Sequence, residues 1–225
     1  MKPNKPLYQS SALDMACRGK LYRRLVSFAG AMLFFIILVT NNVQAQCPPG
    51  WSHAVAPKTI IVSCPSGTCT ITVDYCYKIL PHFPVYATTT YQVMPTGDIL
   101  KSGDCDCADS VLFAEIENGL QQTASSLASP CDTGYAPLQC QIRLPYCYKK
   151  VVYRDPIGNI VGYGYRQCST EDFCVQTCDI CYANGKVVSS NCSFTVEGTP
   201  SCTQPPTPWN NDDDNCYGIC GLHLH

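Results

Sequence analysis

The chain has 225 residues, eighteen of them cysteine, with 15 Lys plus Arg against 17 Asp plus Glu. A chain with this excess of acid is a poor candidate for nucleic-acid binding, which rests on clustered Lys and Arg, and no basic amphipathic stretch offers a membrane-surface helix. Eighteen cysteines point instead to a disulfide scaffold in an oxidising compartment, provided that the chain is exported.

Export is read from the first 45 residues. Lys2, Lys5, Arg18, Lys20, Arg23 and Arg24 precede an almost unbroken apolar run from Leu25 to Val39, and Val43-Gln44-Ala45 supplies small residues at a cleavage position. This is the layout of a secretory signal peptide over residues 1–45, with Met15 as an alternative start. An uncleaved anchor is the competing reading, but the run falls short of the roughly 20 residues that span a bilayer. The mature chain then begins at Gln46, keeps nine basic against sixteen acidic residues, and has no membrane span. It holds seventeen cysteines: Cys47, Cys64, Cys69, Cys76, Cys105, Cys107, Cys131, Cys140, Cys147, Cys168, Cys174, Cys178, Cys181, Cys192, Cys202, Cys216 and Cys220. All are disulfide candidates, and the odd number leaves either a buried inert thiol or a covalent link to a second chain.

Spacing organises the mature part. Cys69 to Cys76, Cys140 to Cys147 and Cys174 to Cys181 each enclose six residues, with a tyrosine after the second cysteine, and Cys216-Tyr217 is a fourth such pair. The recurrence reads as a small unit used several times, against chance in a cysteine-rich chain. In the first copy Ile71, Val73, Tyr75 and Tyr77 alternate with polar residues, as in a half-buried strand. A separation of seven places the two cysteines on opposite strand faces, so they cannot bridge each other and each copy reaches two neighbours.

Asp104-Cys105-Asp106-Cys107 reads as a stapled turn entering a helix. From Asp109, a candidate N-cap, Val111, Leu112, Ile116, Leu120, Ala124 and Leu127 recur at helical spacing, predicting one amphipathic helix over 109–127, weakened by Gly119. After Cys147, residues 149–155 and 160–166 flank Pro156-Ile157-Gly158-Asn159. A four-residue loop there sets Cys147 opposite Cys168, a geometry that permits a direct bridge, whereas a three-residue loop separates them. After Cys181, Asn184-Gly185 predicts a two-residue hairpin turn with Ala183 facing Lys186 and with Cys192 beside Thr177 and Cys178. Residues 203–208, with Pro205, Pro206 and Pro208, read as an extended linker before a short tail.

The expected architecture is therefore mainly β: small disulfide-stapled antiparallel hairpins in tandem, with one helix. Residues 46–130 form a first cysteine-rich module ending in that helix, 131–202 a second, and 203–225 a Pro-rich linker with an acidic Cys/His tail.

Chemistry is sparse. The common hydrolase and phosphate-loop signatures are absent, no catalytic residue and no cofactor are nominated, and a base for any nucleophile would have to be His53 or His82. In the tail, Cys216, Cys220, His223 and His225 are ligand types that zinc or copper accept, although the two cysteines can equally be bridged. The run of acids from Asp212 to Asp214 lacks the spacing of a calcium loop. Tyr146, Tyr148, Tyr153, Tyr163 and Tyr165 gather around one hairpin, where they either pack the sheet or offer a contact surface. Asn191-Cys192-Ser193 fits a glycosylation acceptor. The expected function is a secreted or cell-surface structural or binding protein whose partner is an extracellular protein or glycan. The alternatives are a secreted enzyme with an unrecognised site and metal capture by the tail.

Overall fold

The computed structural model describes residues 47–81, 89–132, 134, 137–169, 171–211, 214–220 and 222. The expected signal segment and His82, His223 and His225 lie outside them. The described residues belong to one unit, Ala45–His225. The protein is mainly β, mostly antiparallel with one parallel pairing, and rich in disulfides.

Strands β1 (Ser52–His53), β2 (Lys58–Cys64), β3 (Gly67–Leu80) and β4 (Thr90–Gly103) open the fold. β3 is the first cysteine repeat, and it pairs with β1, β2 and β4. Its alternation separates two environments: Cys69, Ile71 and Val73 enter the main core, while Cys76 is buried outside that cluster. Cys69 bridges to Cys105 and Cys76 to Cys47, so this strand is fastened on both faces. Strand alternation is sufficient cause.

β4 is where the sheet forks. One edge runs along β3, with a register shift opposite Thr72 and Asp74. Along the other edge, Thr90–Val93 pair in parallel with β5 (Leu138–Pro145), and Ile99–Lys101 pair antiparallel with β7 (Ile160–Gln167). Pro95 lies between these two stretches, where no outer neighbour needs its missing N–H. One branch continues from β5 to β8 (Phe173–Ala183) and β9 (Lys186–Glu197); the other runs from β7 to β6 (Cys147–Arg154) and β10 (Tyr217–Gly218). The tandem hairpins are thus joined in one sheet, which passes without a break across the expected module boundary at residue 130.

Both predicted hairpins form. Asn184 (φ 51°) and Gly185 (φ 79°) make the turn between β8 and β9, with Ala183 opposite Lys186. At the register shift beyond Thr177, Cys178 bridges to Cys192. In the β6–β7 hairpin the Cys168 N–H donates to the Cys147 carbonyl at 2.9 Å, so these residues do face each other. The direct bridge does not form. Cys147 joins Cys202 and Cys168 joins Cys216, because the C-terminal segment returns along the outer edge of β6 and brings a sulfur to each.

The second repeat departs from the first. Its strand breaks at Tyr146, between β5 and β6, and Cys140 has no bridge. In the third, Cys174 joins Cys220 and Cys181 joins Cys131.

Helix α1 (Asp109–Gln121), continued by a 3-10 turn over Gln122–Ala124, covers the main core. Leu112, Phe113, Ile116, Leu120 and Ala124 are buried, whereas Val111 and Leu127 are exposed, the latter beyond the helical turns. Ala108, not Asp109, is the N-cap, and no side chain caps the first turn. The Gln122 amide holds the helix end to β9, donating to the Val187 carbonyl (3.0 Å) and accepting from its N–H (2.9 Å). Gly119 is required by packing: a Cβ there would collide with the Ile60 side chain of β2. Gly119→Ala is expected to cost about 1–3 kcal/mol through overpacking, against close to 1 kcal/mol of improved helix propensity. Urea unfolding checks this, and Ile60→Val in the same chain should restore part of the loss.

Candidate ligand cleft

Three adjacent strands bring a group of unusual side chains to the face beneath the start of α1. Lys101 lies opposite Tyr163 across the β4–β7 pairing, and Tyr165 lies opposite Lys150 across β6–β7. Alternation puts these four on one face. Asp109, in the first turn of α1, joins them: its Oδ1 accepts from the Tyr165 hydroxyl, and its Oδ2 lies 3.0 Å from Lys150 Nζ. Its carboxylate therefore ties the helix to two strands instead of capping the helix.

Lys101 is only 6% exposed. Its Nζ donates to the Tyr165 hydroxyl at 3.3 Å and stands 4.4 Å from the centroid of that ring. Burial pushes its ammonium down to about 8, with Asp109 opposing the shift and the neighbouring Lys150 adding to it. Tyr165 is held well above its ordinary value by burial and then by Asp109, so it remains a neutral donor.

Lys101, Lys150, Tyr163 and Asp109 line a cleft of about 780 Å³, with Tyr165 beneath them outside its lining. One wall is the Gly103–Ala108 loop, fastened through Cys69–Cys105 and Cys64–Cys107. The other is the segment Pro205–Trp209, part of a strap fixed at both ends by Cys147–Cys202 and Cys168–Cys216. The Gly218 N–H donates to the Thr203 carbonyl at 2.7 Å and closes the base of the strap. Trp209 is tucked inward, 6% exposed, with its carbonyl accepting from Lys150 Nζ at 2.6 Å. Its ring packs against Tyr165 and Tyr217, and its buried Nε1–H has no acceptor among the described residues.

The tyrosine hairpin divides between core and surface. Tyr148 and Tyr165 are fully buried against Phe113, and so cannot form an open contact surface. Tyr146 and Tyr153 are half-buried, Tyr153 donating to Asp98 Oδ2 at 2.5 Å. Tyr163 is exposed at the cleft rim. Parity explains Tyr165, which falls opposite Ile99, a fully buried residue.

Other nominated residues lie elsewhere. His53 is exposed on β1 and does not line the cleft. Cys216 and Cys220 are both bridged, so neither presents a thiolate, and among the described residues no group of three ligand side chains could hold a metal. Cys140 sits in β5 opposite Cys178, 1% exposed, its thiol pushed up to about 12 by burial. A second chain cannot reach it without opening the sheet. Asn191, Cys192 and Ser193 are exposed on β9, with the Asn191 amide donating to Asp179 at 3.1 Å.

Glu117, also on α1, is buried with its carboxyl pushed up to about 8 by desolvation. The folded state therefore keeps this proton up to about pH 8, whereas the unfolded chain releases it near 4.5. Stability should fall as pH rises through that window, by up to about 1.4 kcal/mol per pH unit. Denaturation of the disulfide-intact protein at pH 5 and pH 8 measures the slope, and Glu117→Gln should flatten it.

The protein is cysteine-rich and β, with disulfides of the kind formed outside the cell, and its strapped cleft holds a buried lysine, Lys101, beside a partly buried Lys150–Asp109 ion pair. Set against known protein families, characterised proteins and solved structures, the chain matches none of them. Among the described residues no helix is long and apolar enough to cross a membrane.

Proposed function

We propose that the mature protein is a secreted or cell-surface binding module without catalytic activity, which presents this cleft to an extracellular protein or glycan. The observation that carries the reading is that both cleft walls are covalently fastened, by four of the eight bridges among the described residues. A cleft held open in this way loses little freedom when a ligand enters, which favours binding by a preformed site. The export signal and the density of cysteines support placement outside the cell.

Purified mature protein should bind members of an extracellular glycan and peptide panel and leave them chemically intact. Turnover of glycans, peptides or esters would overturn the non-catalytic part. An enzymatic reading has one observation in its favour, the depressed ammonium of Lys101 in a cleft. It requires turnover that Lys101→Met abolishes.

A further inference from the structure

The cleft floor carries two cations and one carboxylate. Asp109 is already engaged by Lys150 at 3.0 Å and by the Tyr165 hydroxyl. Lys101 is left with a hydroxyl and a ring face, and the charges it senses are Asp109 and its own like-charged neighbour Lys150. A buried ammonium without a carboxylate of its own is costly for a fold to keep. At this position an apolar side chain would suit the core, since Lys101 shares its strand face with the fully buried Ile99.

Two further observations converge here, and a third sets a limit. The first turn of α1, with Ala108, Asp109 and Ser110, lines the same cleft, and its leading N–H groups have no side-chain cap, although the Asp109 carboxylate offsets part of the positive end of the helix dipole. The buried Nε1–H of Trp209, in the opposite wall, is a donor that the described residues leave unanswered. Asp104 and Asp106 also line the cleft, in the loop wall, and set a limit on how much negative charge it tolerates.

Resting on the binding-module reading, we propose that the cleft takes a ligand bearing one singly charged oxyanion, a carboxylate or a sulfate ester, seated between Lys101 and the first turn of α1. Lys101 and Lys150 against Asp109 leave the floor one positive charge, while Asp104 and Asp106 in the loop wall make the lining as a whole net negative, so a monoanion is the most the cleft should tolerate. A phosphate monoester, close to doubly charged at neutral pH, would leave a buried negative charge beside Asp109. A volume of about 780 Å³ accommodates one or two sugar rings or amino acids.

Reductive methylation followed by mass spectrometry tests this on the intact, disulfide-bonded mature protein, with Lys101 as the reporter and other lysines as controls. The probes are a uronic-acid disaccharide, a monosulfated disaccharide, the neutral disaccharide and inorganic phosphate. The expected result is at least tenfold slower modification of Lys101 with the uronic-acid or the sulfated probe, the more protective one identifying the oxyanion. Protection should fade in 0.5 M salt, as charge-dependent binding does. Calorimetry with Lys101→Met should show at least a tenfold loss of affinity for the protective probe. If that variant does not fold, the wild-type protection pattern decides.

Equal protection by the neutral disaccharide overturns the charge assignment and leaves the binding module standing. Stronger protection by phosphate overturns the monoanion. No protection by any probe overturns the inference, and the wider panel then reports separately on whether the protein binds extracellular ligands at all.

Discussion

Reduction of the mature protein in the absence of denaturant is expected to unfold it, because its bridges contribute more than a domain of this size holds in reserve. Each disulfide stabilises by about 2–4 kcal/mol through its restriction of the unfolded chain, and a folded domain as a whole retains only about 5–15 kcal/mol. Loss of several therefore exceeds the margin. The bridges are unequal: Cys178–Cys192 closes a separation of 14 residues and Cys147–Cys202 one of 55. Loop entropy makes the second worth about 1 kcal/mol more than the first. Paired Cys→Ser replacement, followed by urea unfolding, should rank them in that order. Before any reductant is added, native protein should resist alkylation, and denatured protein should reveal a single thiol, Cys140. Several accessible thiols in the native protein would remove the basis of the architecture.

The second large effect is expected at Asp109. Asp109→Ala removes the carboxylate that Lys150 and Tyr165 share and leaves the buried Lys101 ammonium beside the partly buried one of Lys150, with no carboxylate between them. Breaking a buried ion pair by deleting one partner costs about 3–5 kcal/mol, and this partly buried pair should fall at the lower end, still above the usual cost of losing a helix cap. The penalty should shrink between pH 6 and pH 9. Lys101 sheds its proton near 8 in the folded protein and near 10.5 in the unfolded chain, so rising pH relieves the repulsion in the folded state first. Denaturation of wild type and variant at both pH values measures the difference. An equal, small loss at both would mean that Asp109 is merely a surface acid.

Local pattern carried the strands, turns and helix because each is written in consecutive residues. The Asn184-Gly185 turn, the facing of Cys147 and Cys168, and the placement of Cys192 beside Cys178 all follow from counting along two strands. Pairing between cysteines did not follow, because proximity in a hairpin is only a condition for a bridge. The returning tail competed for both Cys147 and Cys168, and nothing in the hairpin announces a tail. β4 was hidden by Pro95 and Gly97, which break strand signals until the fork shows that the outer edge is vacant there.

The site was less legible than the fold. Asp109 has the residue type and position of a cap, and only the arrival of Tyr165 and Lys150 from distant strands redirects it. Lys101 left a trace that parity could have found: it sits two residues from Ile99 on a core-facing strand, where an aliphatic residue belongs. Trp209 left another, as a large aromatic directly after the prolines of the 203–208 linker. The tyrosine cluster was ambiguous between packing and contact surface, because residue type suits both, and strand parity assigns Tyr148 and Tyr165 to the interior.

The strap from Cys202 to Cys216 is anchored to two facing positions of one hairpin, and this shapes what a proteolytic cut can do to the protein. A protease that clips the exposed prolines severs the backbone but liberates no fragment, since each new end remains bolted to the sheet. Such a nicked molecule would run as one species on a gel until reduced, with the pieces beside the cut still in place.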